Sequence, residues 1–278
     1  MIMSKTNTQQ LLKELVERIE QVKNSEEFKE VLKSFSKFHN YSYQNTILIQ
    51  MQKPDASYVA GYKQWKEKFD RYVKKGENGI AILAPFTYKK EEIKIKTVEI
   101  DGELIEKEVE ETVSKTYFRP VYVFDISQTE GEPLPTINTS LENERSDLLK
   151  PLKEFSTTQD IEVETRPLSN SLRGYSEGGK IVLDKNTNDT DRAGILVHEL
   201  AHELLHNKEE RMKLSKEIKE LEAEATSFVV LNHYDIETKS DKYLALYKKS
   251  YDLEKSLARI KRISSKIISF CDDWIQNN

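Results

Sequence analysis

The pentapeptide His198-Glu199-Leu200-Ala201-His202 narrows what this chain can be more than any other stretch. Residues four apart on a helix lie on one face, one turn above the other, so the two imidazoles point the same way. That spacing suits two nitrogen ligands on one metal ion, at about 2.0–2.1 Å each for zinc. Glu199 stands beside the first ligand, where its carboxylate reaches a metal-held water. The flanks favour a helix: Ile195, Leu196, Leu200, Ala201, Leu204 and Leu205 line one side, and neither Pro nor Gly interrupts 195–206. Asp191 is the expected N-cap.

A catalytic zinc site takes three protein ligands and keeps a position open for water. His206 continues the four-residue ladder but lies a further turn away from a shared metal, and reads as a helix-end residue. His233 is isolated. The segment Glu220-Leu-Glu-Ala-Glu-Ala-Thr-Ser-Phe predicts a second helix with one glutamate turned inward, and spacing does not separate Glu220, Glu222 and Glu224. Tyr175 and Tyr234 are candidates for stabilising an oxyanion, although a packing role explains each more simply.

The chain has 278 residues, 37% hydrophobic and 33% charged, with 9 glycines and 7 prolines. Its length suits two ordinary domains, and its composition favours long helices over a loop-rich fold. No apolar run approaches the ~20 residues of a membrane span. The N-terminus lacks the pattern of a signal peptide, and a single cysteine, Cys271, fits a reducing compartment. A cytoplasmic protein without a membrane partner is expected.

Periodicity predicts a helix over 8–36 with Leu11, Leu12, Leu15, Ile19 and Val22 on one face, restarted at Asn24 with Phe28, Val31, Leu32 and Phe35. A helix capped by Ser42 and a short one over Gly61–Phe69 follow. Ile80 to Pro85 reads as a short strand. Ile93–Ile100 and Leu104–Glu111 read as a hairpin around Asp101-Gly102, and Tyr117–Ile126 as another strand. The polar stretch 128–146 is the expected linker. A helix near 146–156, strands at Ile161–Thr165 and Lys180–Asp184, and three or more long helices complete the chain. The expected class is α+β: N-terminal helices with a small antiparallel sheet over 1–135, a linker at 136–146, and a mainly helical domain with a small sheet over 147–278.

The net charge of −5 hides a basic stretch between Tyr58 and Lys75, where Lys63, Lys66, Lys68, Arg71, Lys74 and Lys75 face only Glu67 and Asp70. Tyr41, Tyr43, Tyr58, Tyr62, Trp65, Phe69 and Tyr72 are interleaved with them. Rings that stack on bases and cations that follow phosphates together bind single-stranded nucleic acid. A solvated lysine face over a Trp65–Phe69 core pair is the plainer reading.

His-Glu-Leu-Ala-His-Glu-Leu-Leu-His followed by Glu222-Ala-Glu224-Ala-Thr-Ser-Phe resembles the ImmA/IrrE-type zincins and the related ArdC-type proteins. Gly174-Tyr-Ser-Glu-Gly-Gly-Lys-Ile-Val-Leu resembles the strand that precedes their metal helix. The resemblance implies zinc held by His198, His202 and Glu224, with Glu199 as the general base of peptide hydrolysis. Tyr41-Ser-Tyr-Gln-Asn-Thr-Ile-Leu-Ile-Gln, Val59-Ala-Gly-Tyr-Lys-Gln-Trp, Val73-Lys-Lys-Gly-Glu-Asn-Gly-Ile-Ala-Ile-Leu-Ala-Pro and Tyr122-Val-Phe-Asp-Ile-Ser-Gln-Thr resemble, in order, the N-terminal domain of ArdC-type antirestriction proteins. This implies single-stranded DNA as a partner, with Tyr43, Asn45, Lys63, Trp65, Lys66, Arg71, Lys74 and Lys75 as its candidate contacts, and an unidentified protein substrate for the zincin half. The alternatives are an ImmA-like protease that cleaves a repressor or other specific protein, and a non-enzymatic DNA-binding protein with a vestigial zinc site.

Overall fold

The computed structural model describes residues 11, 13, 25–100, 103–134, 146–168, 172–206, 213–238 and 252–278. Most of the helix expected over 8–24, the Asp101-Gly102 turn and residues 135–145 of the expected linker lie outside them.

Ser25–Lys37 forms α1 and Tyr43–Gln52 forms α2. Ser42 caps α2, its hydroxyl accepting from the Asn45 amide at 3.3 Å. Short elements follow: β1 at Val59–Gly61, α3 at Tyr62–Phe69 and β2 at Arg71–Val73. The separate strands expected beyond residue 80 are instead two long ones, β3 at Ile80–Ile100 and β4 at Glu103–Asp125, paired antiparallel throughout. Pro85, the expected end of a strand, faces Phe118, and Pro120 faces Leu83. Proline lacks a donor, and a ribbon with an open edge accommodates it where a central strand does not. β1 completes this sheet against the end of β4. Ile126–Gln128 turns into β5 at Thr129–Gly131, which pairs with β2.

The second half begins with α4 at Leu149–Thr158. A three-stranded sheet follows, with β6 at Glu162–Arg166, β7 at Gly174–Ser176 and β8 at Lys180–Asp184. β8 is central, parallel to β6 and antiparallel to β7, so β7 lies at an edge. Among the described residues three helices follow: α5 at Asp189–Leu204, α6 at Lys216–His233 and α7 at Leu253–Asn277. The molecule is a mixed α+β fold. Among the described residues no helix is long and apolar enough to cross a membrane.

The principal core does not follow the division of the sequence into halves. Phe28, Val31, Leu32 and Phe35 of α1 share one apolar cluster with Val229 and Val230 of α6 and with Ile260, Ile267 and Ile268 of α7. A smaller cluster under the first sheet gathers Phe38, Ile49, Val59, Ile80, Ile82 and Val123.

Candidate metal centre

α5 starts three residues earlier than expected. Its N-cap is Asn188, whose side-chain oxygen accepts from the Asp191 amide at 2.8 Å. Asp191 lies in the first turn, where a carboxylate favours the positive end of the helix dipole. Ala193, Leu196, Val197, Leu200 and Ala201 are buried, which leaves His198 and His202 on the opposite flank, facing the cleft. Their Nε2 atoms are 3.0 Å apart.

The three downstream glutamates go to three places. Glu220 brings its Oε2 to 3.8 Å from His198 Nε2 and 3.5 Å from His202 Nε2, so one carboxylate and two imidazoles converge. Glu224, one turn along the same face of α6, lines a cavity of about 370 Å³ with His198 and Glu199. Glu222 points the other way and is fully buried. It receives Arg259, whose Nε lies at 3.0 Å and whose second nitrogen meets the other carboxylate oxygen. It also meets His206 Nε2 at 2.6 Å. Burial alone would raise the Glu222 carboxyl, but bonds from His206, Arg259 and Ser256 hold it below its usual range. His206, just past the end of α5, thus serves a buried ion network behind the site.

Glu199 is largely withdrawn from water. Burial, and next the charge of Glu220, push its carboxyl up to about 7, while Ser176 on β7 opposes the shift by hydrogen bonding. Burial and the neighbouring His198 lower the His202 ring below its usual value, which favours the neutral form that a metal ligand requires.

β7 reaches the site because Gly174 has no side chain: a Cβ there would sit 2.4 Å from Ile195 Cγ2 on α5. The next turn uses Gly178 and Gly179 at φ +71° and +89°, and both amides donate to Glu203 on α5 at 3.1 Å. Strand and helix are therefore pinned side by side. A second cavity of about 710 Å³ shares Gly174, His198 and Glu199 with the first and extends past His202 to Glu220. Tyr175 lines this second cavity, its hydroxyl accepting from Arg166 at 2.7 Å. Tyr234 is buried elsewhere, donating to Asp272 at 2.9 Å, and takes no part in the cleft.

The N-terminal candidates divide by exposure. Lys63, Lys66, Lys74 and Lys75 are exposed, and so are Tyr58, Tyr62 and Tyr72. Trp65 is fully buried and donates its indole N–H to the Phe124 carbonyl at 2.9 Å, so its ring faces protein. Tyr43 packs edge-on against Phe35. Asn45 is buried and pairs with both backbone groups of Leu83, at 2.8 and 2.9 Å. These three support the surface from behind. Arg71 is spent on the β2–β5 connection, with bonds to Thr129, Gly131 and Glu132. The tyrosines of this stretch, Tyr58, Tyr62 and Tyr72, are the rings left at the surface, a distinction that needs the burial pattern of α3.

Comparison with known proteins adds a family. The chain is 27% identical to an uncharacterized protein of Bacillus anthracis over 308 aligned positions, covering 98% of this chain and 52% of that protein. It thus spans about half the length of that relative. Two crystal structures of the antirestriction ArdC protein from the R388 plasmid were also matched. The metal-free one is 19% identical with a TM-score of 0.45, covering 84% of this chain and 86% of that one. The Mn(II)-bound one is 16% identical with a TM-score of 0.49, covering 96% and 98%. The model of the N-terminal domain of anti-restriction factor ArdC matches residues 5–124. Residues 5–124, somewhat less than half of the chain, are thus similar to the N-terminal domain of anti-restriction factor ArdC.

Proposed function

We propose that this is an antirestriction-type protein that binds single-stranded DNA through its N-terminal half and carries a zinc-dependent peptidase centre between α5 and α6. The observation that carries the enzymatic reading is the meeting of His198, His202 and a glutamate of α6 beside the half-buried Glu199. Two neutral imidazoles and one carboxylate are the donor set of a catalytic zinc site. Bound there, zinc supplies a Lewis acid that polarises a carbonyl and acidifies a water. Glu199, lining the cleft beside His198, is placed to accept the water's proton and return it to a leaving amine. The edge strand β7 offers backbone groups along which an extended peptide could align beside His198 and Glu199. An extended protein segment is therefore the substrate class that suits the cleft. The third ligand is Glu220 by proximity and Glu224 by resemblance. Zinc content of Glu220→Ala beside Glu224→Ala separates them, since the true ligand's loss empties the site.

The decisive variant is Glu199→Gln. It is expected to lower proteolysis of a sensitive substrate by at least about 100-fold, while zinc content and DNA affinity stay at wild-type levels. Unchanged proteolysis defeats the peptidase reading. Antirestriction that survives the substitution intact separates the biological role from the cleavage.

For DNA, the exposed lysines Lys63, Lys66, Lys74 and Lys75 lie with Tyr58, Tyr62 and Tyr72 along α3, β2 and their flanks. Phosphate contacts weaken with salt, each contributing about −0.7 to the slope of log affinity against log salt for single strands. Titration of the full chain with single-stranded DNA is expected to show a slope that falls when Lys63 and Lys66 become alanine. Binding that ignores salt overturns this part.

A further inference from the structure

Away from the cleft, the turn between α1 and α2 meets the ends of α6 and α7 through a second group of ligating side chains. His39 on the turn, His233 at the end of α6 and Asp272 on α7 bring ligand atoms within 4.8 Å of one another. His233 Nε2 lies 3.0 Å from Asp272 Oδ2, and His39 Nε2 lies 3.7 Å from the same oxygen. The two rings stand edge to face with centroids 4.9 Å apart.

The surrounding bonds orient these groups as ligands. A carbonyl only accepts, so His233 Nδ1, 3.0 Å from the Ser36 carbonyl oxygen, carries the proton. His233 Nε2 then faces the Asp272 carboxylate, 3.2 and 3.0 Å from its two oxygens. Asp272 is held by the Tyr234 hydroxyl at 2.9 Å on Oδ1, leaving Oδ2 towards the two histidines. A ring N–H on a backbone carbonyl and a hydrogen-bonded carboxylate are the supports that metal ligands characteristically receive. The opposing charge nearby is Lys261 on α7, whose Nζ donates to the carbonyls of Phe35 and Phe38.

We propose that His39, His233 and Asp272 form a second divalent-cation site of the zinc class, one that clasps the α1–α2 turn to the C-terminal helices. Two imidazoles and a carboxylate suit zinc better than calcium or magnesium, which prefer oxygen alone. Its partly buried position, between the α1–α2 turn and the C-terminal helices, makes it a structural site.

The test uses the full chain with the cleft disabled by His198→Ala and His202→Ala. After equilibration with zinc and removal of excess, this double variant is expected to retain about one equivalent by elemental analysis, and zinc should raise its melting temperature. Adding His39→Gln and Asp272→Asn should remove both the metal and the rise. Tyr234→Phe in the double variant, which removes the hydroxyl that bonds Asp272 and lies near the Ile268 carbonyl, is expected to weaken zinc binding by about 10–100-fold. A double variant that holds no zinc, or one whose zinc survives His39→Gln with Asp272→Asn, overturns the proposal. The first of those outcomes is decisive even if the quadruple variant does not fold.

Discussion

Single residues of similar chemistry end in different environments, and their consequences differ accordingly. Glu222 is fully buried between His206 and Arg259, whereas Glu220 is about half exposed in the cleft. Removing one partner of a buried ion network leaves the others uncompensated, at a cost of about 3–5 kcal/mol. Glu222→Ala is therefore expected to lower the stability of the metal-free protein by that order in a denaturant titration, while Glu220→Ala changes it by less than about 1 kcal/mol. Lys261 offers a pH signature. Burial lowers its ammonium from 10.5 to about 7 in the folded chain. Below 7 both states are charged and the burial penalty is complete. Between 7 and 10.5 the unfolded chain binds the extra proton, so the penalty is relieved as pH rises. Relative to Lys261→Met, the chelator-treated wild type should gain up to about 1.4 kcal/mol per pH unit across that window. A pH-independent difference between the two would refute the assignment.

At the scale of elements, β3 and β4 run well past the body that they help to build. Ile80, Ala81, Ile82, Leu83 and Val123 are buried at the base, while Ile93 and Ile95 are 64% and 65% exposed further out. The ion pair Lys94–Glu111 lies on this outer part, and exposed pairs contribute about 0–1 kcal/mol each. Replacing residues 91–112 by Asn-Gly closes the ribbon where Lys90 faces Val113. Stability should then change by no more than about 0.5 kcal/mol. A larger loss in thermal unfolding would show that the outer ribbon packs on something. The alternation around Ile93–Ile100 correctly signalled a strand, but its exposed face was not legible, because period two is the same whether a face meets a core or water. Likewise Pro85 read as a terminator, since a strand's edge position is invisible in the sequence.

The whole molecule is joined across its sequence halves. α1 buries Phe28, Val31, Leu32 and Phe35 against α6 and α7. Lys261 and His233 add bonds to the carbonyls at the end of α1. Residues 1–135 alone would expose that apolar face of α1. They are expected to melt without a cooperative transition by circular dichroism, where the full chain melts cooperatively. A cooperative transition in the isolated segment would show that the core clusters are independent.

Much of this was written locally. Helical spacing placed His198 and His202 on one face of α5, Ser42 capped α2, and the strands beside the metal helix followed from short apolar runs, because caps and periodicity act within a few residues. The rest depended on neighbours distant in the chain. Trp65, interleaved with lysines, turned inward because Phe124 supplies its hydrogen-bond acceptor. Glu220, Glu222 and Glu224 are chemically alike and nearly adjacent, and the facing helices assigned each a different destination. His39, His233 and Asp272 show no motif at all. Residue type and spacing determined which groups were available. Only the packing of α6 and α7 against both ends of the chain decided which of them meet, since side-chain contacts across large sequence separations are set by the shared core and not by local pattern.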